Sequence, residues 1–337
     1  MANDQLNPNA GPSIKMTLFT RDQLDAAHAL VQTRMAPTPQ YNWPLLSRRL
    51  GAELWVKHEN HTPTGAFKVR GGITYLDDLA RAGCDGIMTA TRGNHGQSIP
   101  YAAAAHGIGV TVYVPEGNSI EKNAAMTAWG AELVVHGADF EESRLECVRV
   151  ADERQLHIIP PFHPLLVRGV ATYALELLTT IEPDVVYVPI GMGSGICGLI
   201  TVRDLLGLKT EIVGVVSDRA EAYALSFEAG RVVETDQCVT FADGMACRAP
   251  WDEPLQIILK GAARVVRVSD DQIAGAIRAY YTDTHNIAEG AGAAPLAAAI
   301  QDRDSLAGKT VGVILCGGNI DTAWMLEILA GRTPVPA

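Results

Sequence analysis

The strongest constraint on the fold is a series of short apolar segments that alternate with segments of helical pattern. These segments are predicted strands, at residues 86–90, 109–114, 132–136, 157–159, 184–189, 211–216, 264–268 and 310–315. Strands that are largely apolar and separated by helices form parallel sheets with helices on both faces. The sequence therefore predicts an α/β fold, and the Pro-rich break at residues 160–164 divides the strands into two sets.

The N-terminal part of the chain carries helix and strand signals of its own. Thr20 and Gln23 form a capping-box pattern, which predicts a helix that reaches about Val31. Residues 53–57 are predicted as a short strand, and residues 67–82 as a helix that follows a Pro/Gly turn. Before them, the first thirteen residues are polar and rich in Pro, Gly and Asn, so we expect a frayed arm and no signal peptide.

The composition argues against several classes of function. The formal net charge is −11, and a nucleic-acid surface would need a clustered basic face. No apolar run is long enough to cross a bilayer, so we expect no membrane partner. The six cysteines are scattered and include no Cys-x-x-Cys pair, which indicates reduced thiols in a cytoplasmic protein, with neither a zinc site nor a disulfide framework.

Lys68 is the first candidate for chemistry. It follows Gly65, Ala66 and Phe67 and lies at the start of the predicted helix. Apolar neighbours and the positive end of a helix dipole both lower the pKa of a lysine, which gives the neutral amine that Schiff-base chemistry needs. A solvated surface lysine is the alternative interpretation.

A second candidate site is the glycine-rich segment 189–198, which follows a predicted strand and opens a helix. Its glycines allow backbone N–H groups to close around an anion at the helix N-terminus, so the segment predicts a phosphate cradle. Residues 193–198 also match the dinucleotide fingerprint, with Glu211 or Asp218 as the ribose-binding acid. A nicotinamide-dependent oxidoreductase is therefore a competing interpretation.

Two further interpretations of the glycine-rich segment are a binding module without catalysis and a strand–helix turn without a ligand. The presence of Lys68 favours the catalytic interpretation over the dinucleotide and binding-module interpretations. A dinucleotide enzyme has no use for a nucleophilic lysine of this kind, and a binding module would have no reason to keep one.

Three more candidate residues lie near predicted strand ends or helix starts, where ligands bind in open α/β sheets. Asn94 follows the strand at residues 86–90, Cys316 follows the last strand, and Glu289 precedes a helix. Each has a plain structural explanation as well. Asn94 could be a helix N-cap, Cys316 a small buried hydrophobe and Glu289 a first-turn acid.

Together these segments resemble a known family. Residues 65–72, 90–98, 189–198 and 313–321 occur in the order found in pyridoxal-phosphate (PLP) enzymes of the tryptophan-synthase-β type. Within that superfamily the chain is most similar to the threonine/serine dehydratases and to serine racemase. The resemblance implies PLP fold type II, with two open parallel or mixed sheet domains covered by helices. Residues 1–85 and 164–337 would form the large domain and residues 86–163 the small one, in a homodimer.

The resemblance also implies a role for each candidate residue. Lys68 would bind pyridoxal 5'-phosphate covalently and later act as the catalytic base, the Asn94 amide would contact the phenolic oxygen, and Cys316 would contact the pyridine nitrogen. The implied cofactor-binding residues are Phe67, Lys68, Asn94, Gly191, Met192, Gly193, Ser194, Gly195, Glu289 and Cys316. The implied substrate-binding residues are Thr91, Arg92, Gly93 and His95.

The implied activity is that of an ammonia-lyase. Such an enzyme eliminates water from a 3-hydroxy amino acid of the L-threonine or L-serine type and gives a 2-oxo acid and ammonia. The sequence leaves 3-hydroxyaspartate and phenylserine open as substrates, and racemisation open as a reaction. A neutral thiol at Cys316 would not hold the cofactor ring protonated, which favours elimination over transamination.

Several features depart from the family pattern. Arg92 stands where serine racemase carries a serine that acts as a second base, and a guanidinium cannot take that role. Val216 and Ala222 stand where racemase-like members carry two carboxylates for a divalent cation; Asp218 and Glu221 would need a different geometry, so we expect no metal site. The chain ends soon after its last predicted helix, so we expect no C-terminal regulatory domain and no feedback control by isoleucine.

Overall fold

The structure, a computed structural model, describes residues 18–336, so the predicted N-terminal arm lies outside the described residues. None of the helices in that range is both long and apolar enough to cross a membrane. The described strands, β1 to β10, are Gln40–Asn42, Glu53–His58, Gly86–Ala90, Gly109–Val114, Glu132–Val135, His157–Ile158, Val185–Pro189, Glu211–Ser217, Arg264–Val268 and Thr310–Leu315. The described helices, α1 to α13, are Arg21–Gln32, Pro44–Leu50, Lys68–Arg81, Asn94–Ala104, Ile120–Ala128, Phe140–Arg154, Pro164–Thr180, Ser194–Leu206, Ala222–Ala229, Asp252–Gly261, Asp270–Thr284, Gly290–Gln301 and Thr322–Leu329.

The predicted strands are all present. Strands β3, β4, β9 and β10 have the predicted bounds, and each of the others differs by one residue at one end. The predicted capping box of α1 also forms, because the Gln23 amide donates to the Thr20 hydroxyl and the Thr20 amide donates to the Gln23 side chain. Apolar periodicity and local capping chemistry therefore determine these elements.

Four elements were not predicted from the sequence: β1, α2, α7 and α10. Helix α7 is the longest of them, and it begins inside the segment that was interpreted as a break. Pro164 occupies its first turn, where the missing N–H has no helical partner to lose, and the His163 side chain accepts from the Leu165 amide at 3.1 Å. The proline at this position starts a helix and does not merely interrupt the chain.

The larger sheet has six strands in the order β1-β2-β10-β7-β8-β9. Strand β1 is antiparallel to β2, and every other neighbouring pair is parallel. Val186, Val213 and Val313, on three central strands, are fully buried. They share one apolar core with residues from α7, α8, α11 and α12. The sheet is therefore covered by helices, as strands that are apolar throughout require.

The smaller sheet has four parallel strands in the order β5-β4-β3-β6. Its apolar core includes Val31 of α1 and Val69, Ile73 and Leu76 of α3. Helix α3 thus packs against the smaller sheet, whereas β2, just before it, belongs to the larger one. The domain boundaries remain a prediction, but Lys68 lies where the chain passes from one sheet to the other.

A buried charged cluster holds the first turn of α3. Arg70 is fully buried and donates to both Glu59 and Glu176, at 2.7 Å for the shortest bond to each. Lys57 is also fully buried and donates to Glu176 at 2.6 Å. The four side chains balance two positive and two negative charges, which buried ionic groups require. Because Arg70 is two residues beyond Lys68, the cluster fixes the position of the candidate lysine.

Candidate active site

The loop before Lys68 is joined to the segment that follows β10. The Phe67 amide donates to the Cys316 carbonyl at 2.9 Å, and the Gly318 amide donates to the Gly65 carbonyl at 2.9 Å. Gly65 has a φ of +70°, and a Cβ there would lie 2.5 Å from Asn319 Oδ1. Only glycine fits this position, so the loop and the end of β10 come together as the chain folds.

The Lys68 amine lies at the centre of the candidate site. Its Nζ donates to Ser194 Oγ at 3.2 Å and lies 5.1 Å from the centre of the Phe67 ring. Burial lowers the pKa of Lys68 to about 8, although the nearby Cys316 and Glu289 groups act in the opposite direction. Roughly a fifth of the amine is therefore neutral near physiological pH, far more than for an ordinary lysine, and this form is available as a nucleophile.

The glycine segment after β7 has the close backbone packing of an anion cradle. Gly193 has a φ of +92°, and a Cβ there would lie 2.8 Å from Pro254. A Cβ at Gly191 would overlap the Gly244 carbonyl oxygen. Helix α8 starts at Ser194, so its free N–H groups and its dipole point into this segment.

The other predicted members of the segment also lie at this place. The Met192 carbonyl accepts a 3.4 Å hydrogen bond from the Tyr223 hydroxyl, and the Gly195 carbonyl accepts a 3.0 Å bond from Tyr173. The half-buried Phe67 ring contacts the Tyr173 ring edge-on at 6.2 Å. These contacts bring the lysine loop and the cradle together.

Glu211 and Asp218 were the candidate ribose-binding acids of the dinucleotide interpretation. Glu211 is exposed at the N-terminal end of β8, whereas ligands bind outside the carboxyl ends of strands. Asp218 follows the carboxyl end of β8. Glu221, three residues beyond Asp218 in the chain, forms an ion pair with Arg267 at 2.6 Å.

Asn94, Glu289 and Asn319 form one hydrogen-bonded chain. Asn94 Nδ2 donates to Glu289 Oε1 at 2.8 Å, and Asn319 Nδ2 donates to Asn94 Oδ1 at 2.8 Å. Burial raises the pKa of Glu289 to about 7, with Asp243 acting in the same direction and Lys122 against it. Glu289 Oε2 is buried without a hydrogen-bond partner among residues 18–336. Asn319 was not singled out from the sequence, although it lies within the quoted segment 313–321.

Cys316 is 4% exposed at the end of β10. Burial raises its pKa well above the usual range of a thiol, and the negative charge of Glu289 acts in the same direction. The thiol is therefore neutral and behaves as a weak donor without charge.

The loop after β3 brings four predicted substrate-binding residues to the same cleft. The Thr91 hydroxyl accepts from the Gly93 amide at 3.2 Å, and His95 is buried in the first turn of α4. Arg92 is exposed and forms no ion pair with any described residue. The loop lies against Lys122, whose Nζ would be 3.8 Å from a Cβ at Gly93.

Lys122 and Asp243 were not found from the sequence. They form an ion pair across the cleft, and Lys122 is almost fully buried. No local pattern joins α5 to the irregular segment before α10, so only the folded chain shows this contact. Both groups influence the pKa of the nearby Glu289 carboxyl.

Comparison with known proteins identifies the family. Residues 31–317 match the family described as pyridoxal-phosphate dependent enzyme. The chain belongs to this family. It is 38% identical over 280 residues to the L-threonine ammonia-lyase of Geobacter sulfurreducens, an alignment that covers 82% of this chain and 69% of that one. It is 29% identical to the biosynthetic L-threonine dehydratase of Pasteurella multocida over 84% of this chain, but it spans only 56% of that protein.

The solved structures agree with this assignment. The structure of maize serine racemase superimposes with a TM-score of 0.86 at 25% identity, over 93% of this chain and 97% of that one. The fold is therefore fold type II, and the chain is a pyridoxal-phosphate-dependent enzyme. The family match decides between the two interpretations of the glycine segment, in favour of pyridoxal phosphate and against a dinucleotide.

The residues present fit this cofactor. The cradle at residues 191–195 suits its phosphate because the glycines let backbone N–H groups approach. Lys68 supplies an amine of lowered pKa, and Cys316 a neutral thiol. The unpartnered Oε2 of Glu289 is a polar atom that a bound group would cover.

Proposed function

We propose that the chain is an ammonia-lyase that eliminates water from a 3-hydroxy amino acid and gives a 2-oxo acid and ammonia. The observation that carries the proposal is the pairing of a Lys68 amine of lowered pKa with a neutral thiol at Cys316 in one cleft. The relatives named L-threonine ammonia-lyase and dehydratase support L-threonine or L-serine as the substrate type.

Lys68 has two roles in this proposal. It would hold the cofactor covalently, and after the substrate takes its place the free amine would remove the Cα proton. Pyridoxal phosphate, when bound, supplies an electron sink for the electrons left at Cα. A pKa of about 8 suits a base at physiological pH, and Ser194 fixes the amine at 3.2 Å.

Three side chains around the cofactor, Cys316, Asn94 and Glu289, would favour elimination over transamination. When the cofactor is bound, the Cys316 thiol would contact the ring nitrogen and the Asn94 amide the phenolic oxygen. Glu289 and Asn319 hydrogen-bond Asn94 and would hold its amide in place. A neutral thiol does not keep the ring nitrogen protonated, so the ring withdraws electrons less strongly. Elimination of a β-substituent needs less delocalisation than transamination and stays available.

Arg92 favours elimination over racemisation. A racemase needs a second base on the face opposite the lysine, and the guanidinium has no acceptor. We propose that the loop of Thr91, Gly93 and His95 receives the substrate carboxylate through its N–H groups. Arg92 would then lie beside the substrate side chain, where it suits an acidic substrate such as 3-hydroxyaspartate as an alternative to L-threonine.

We further propose a homodimer in the cytoplasm. The resemblance to the dehydratases supports the homodimer. All six cysteines lie within residues 18–336 and remain free there, which supports a reducing compartment. Light scattering of the purified protein should give the mass of a dimer, and a monomer mass would contradict this part of the proposal.

A substrate panel tests the proposed function. The purified holoenzyme is incubated with L-threonine, L-serine, 3-hydroxyaspartate and phenylserine, and 2-oxo acid and ammonia are measured. We expect one of them to give both products, with a loss of at least about 1000-fold in Lys68→Ala. Lys209→Ala, at an exposed lysine, is the matched control. Racemisation without 2-oxo acid would contradict the proposal in favour of a racemase.

A further inference from the structure

His95 is a buried histidine whose ring has no role in the function proposed above. The residue is 9% exposed, and its Nε2 has no hydrogen-bond partner in the described part of the chain. Buried polar atoms almost always have a partner, because an unmade hydrogen bond costs free energy. An unpartnered ring nitrogen in a cleft therefore indicates that a ligand supplies the partner.

The charge of the Lys68 amine acts on the His95 ring, which places the two groups in the same part of the site. His95 and Lys68 occupy the first turns of α4 and α3, and the two helices touch about one turn further on. There a Cβ at Gly72 would lie 2.8 Å from the Ser98 carbonyl oxygen. This contact holds the two first turns side by side, so the substrate that Lys68 deprotonates is within reach of His95.

The chemistry of the ring selects the kind of group it binds. Burial and, to a smaller extent, the charge of Lys68 lower the pKa of His95 to about 3. The ring is therefore neutral at physiological pH and forms no ion pair with a carboxylate. A neutral imidazole nitrogen donates or accepts one hydrogen bond according to its tautomer, which matches a hydroxyl group.

We propose that His95 Nε2 hydrogen-bonds the β-hydroxyl of the substrate and thereby selects 3-hydroxy amino acids. This inference rests on the proposed ammonia-lyase function. The contact holds the leaving group in place while Lys68 removes the Cα proton, and it transfers no proton itself. A site that hydrogen-bonds a substrate hydroxyl discriminates strongly against analogues without one, because the buried nitrogen is then left unpaired.

A pair of substrates that differ only in the leaving group tests the contact. L-serine loses its β-hydroxyl together with a proton, as water, whereas β-chloro-L-alanine loses chloride, which needs no such hydrogen bond. We expect His95→Leu to lower kcat/KM for L-serine on the order of 10- to 100-fold. For β-chloro-L-alanine we expect a change within about 3-fold, and His95→Gln, which keeps a polar side chain, should restore much of the loss with L-serine. His106→Leu, at an exposed histidine just after α4, is the matched control.

Equal losses for the two substrates would overturn the inference, because they would show that His95 only supports the fold of the cleft. No loss with either substrate would overturn it as well. Failure of the proposed function is distinguishable from both outcomes. In that case the wild type gives no 2-oxo acid from any hydroxy amino acid while it still eliminates chloride.

A binding measurement provides a readout that does not depend on turnover. α-Methyl-L-serine and 2-aminoisobutyrate both lack a Cα proton, so neither is eliminated, and they differ only in the hydroxyl. The ratio of their Kd values is measured from the visible absorbance of the holoenzyme. We expect the wild type to prefer α-methyl-L-serine and His95→Leu to lose that preference. An unchanged ratio in the variant would overturn the inference.

Discussion

Replacing Arg70 with methionine tests whether the buried charged cluster holds the start of α3. The five N–H groups of the guanidinium make six donor contacts, one of them shared, to Glu59, Glu176, Thr172 and Thr38. Arg70→Met keeps an apolar stem of similar length but leaves two buried carboxylates with Lys57 as their remaining cation. The change therefore breaks a buried ionic network and removes little apolar packing.

The expected loss of stability follows from the buried position of Arg70. Six charged contacts at about 1.5–3 kcal/mol each would sum to about 9–18 kcal/mol, as much as a typical domain's total stability, so we do not expect them to act additively. Glu176 can instead take up a proton once Arg70 is removed, which limits the cost. Removing one partner of a buried ion pair costs about 3–5 kcal/mol, and we expect a loss of unfolding free energy in that range.

Urea unfolding followed by tryptophan fluorescence measures this loss. The control is Arg149→Met, which removes ion pairs to Glu146 and Glu153 on an exposed helix face and should leave the midpoint nearly unchanged. Equal midpoints for Arg70→Met and wild type would refute the reasoning.

The pH dependence of the Arg70→Met deficit gives a second check. In the wild type, burial acts to raise the pKa of Glu176, but His28 at 3.7 Å and the hydrogen bonds from Arg70 outweigh it and lower that pKa. The stabilisation from Glu176 is therefore present above the unfolded pKa and is lost as pH falls. Without Arg70, burial raises the pKa of Glu176 in the folded state. Stability is then lost as pH rises, so the deficit should be larger near about pH 8 than near about pH 5. A deficit that is independent of pH would contradict this account.

Three further predictions concern the site. Cys316→Ser should change activity little because both side chains are neutral. Cys316→Asp should change the visible spectrum of the holoenzyme and the ratio of products. If the Asp variant has the wild-type spectrum and product ratio, the thiol does not contact the ring nitrogen. If Arg92 binds a distal carboxylate, Arg92→Ala should cost 3-hydroxyaspartate about 1.5–3 kcal/mol in kcat/KM and spare L-threonine, whereas equal losses would remove Arg92 from specificity. The neutral amine of Lys68 is the nucleophile, and its pKa is about 8. The rate of cofactor attachment to the apoenzyme should therefore rise with pH up to about 8 and then level off. A rate that continues to rise to about pH 10 would indicate a lysine with an unperturbed pKa.

The sequence predicts the strands well because their signal is local. Strands such as β3 and β10 are short apolar runs bounded by turn residues, so a few neighbouring side chains determine them. Helix α7 was missed because Pro164 has the same local appearance at a helix start as at a break. Strand β1 is only three residues long, and it forms through its pairing with β2. That pairing cannot be predicted from the periodicity of the sequence.

The candidate site was predictable to the extent that its residues lie in motifs. Lys68, Asn94 and Cys316 each lie near glycines at the start of a helix or the end of a strand, and the structure brings them together. Lys122 and Asp243 are 121 residues apart and have no such signal. The pKa of Glu289 also depends on burial and on distant charges, which exist only in the folded chain.

The central claim is that Lys68, among the buried or partly buried lysines of the described chain, is the one that binds the cofactor. Lys57 and Lys122 are ion-paired with Glu176 and Asp243, whereas Lys68 has no acidic partner within ion-pair distance there. Lys309 is partly buried as well, but it precedes β10, at the opposite end of that strand from Cys316. Borohydride reduction of the holoenzyme followed by peptide mass spectrometry measures this directly. We predict that the cofactor is recovered on the peptide that contains Lys68. Its recovery on Lys57 or Lys122, or on no peptide, would contradict the account.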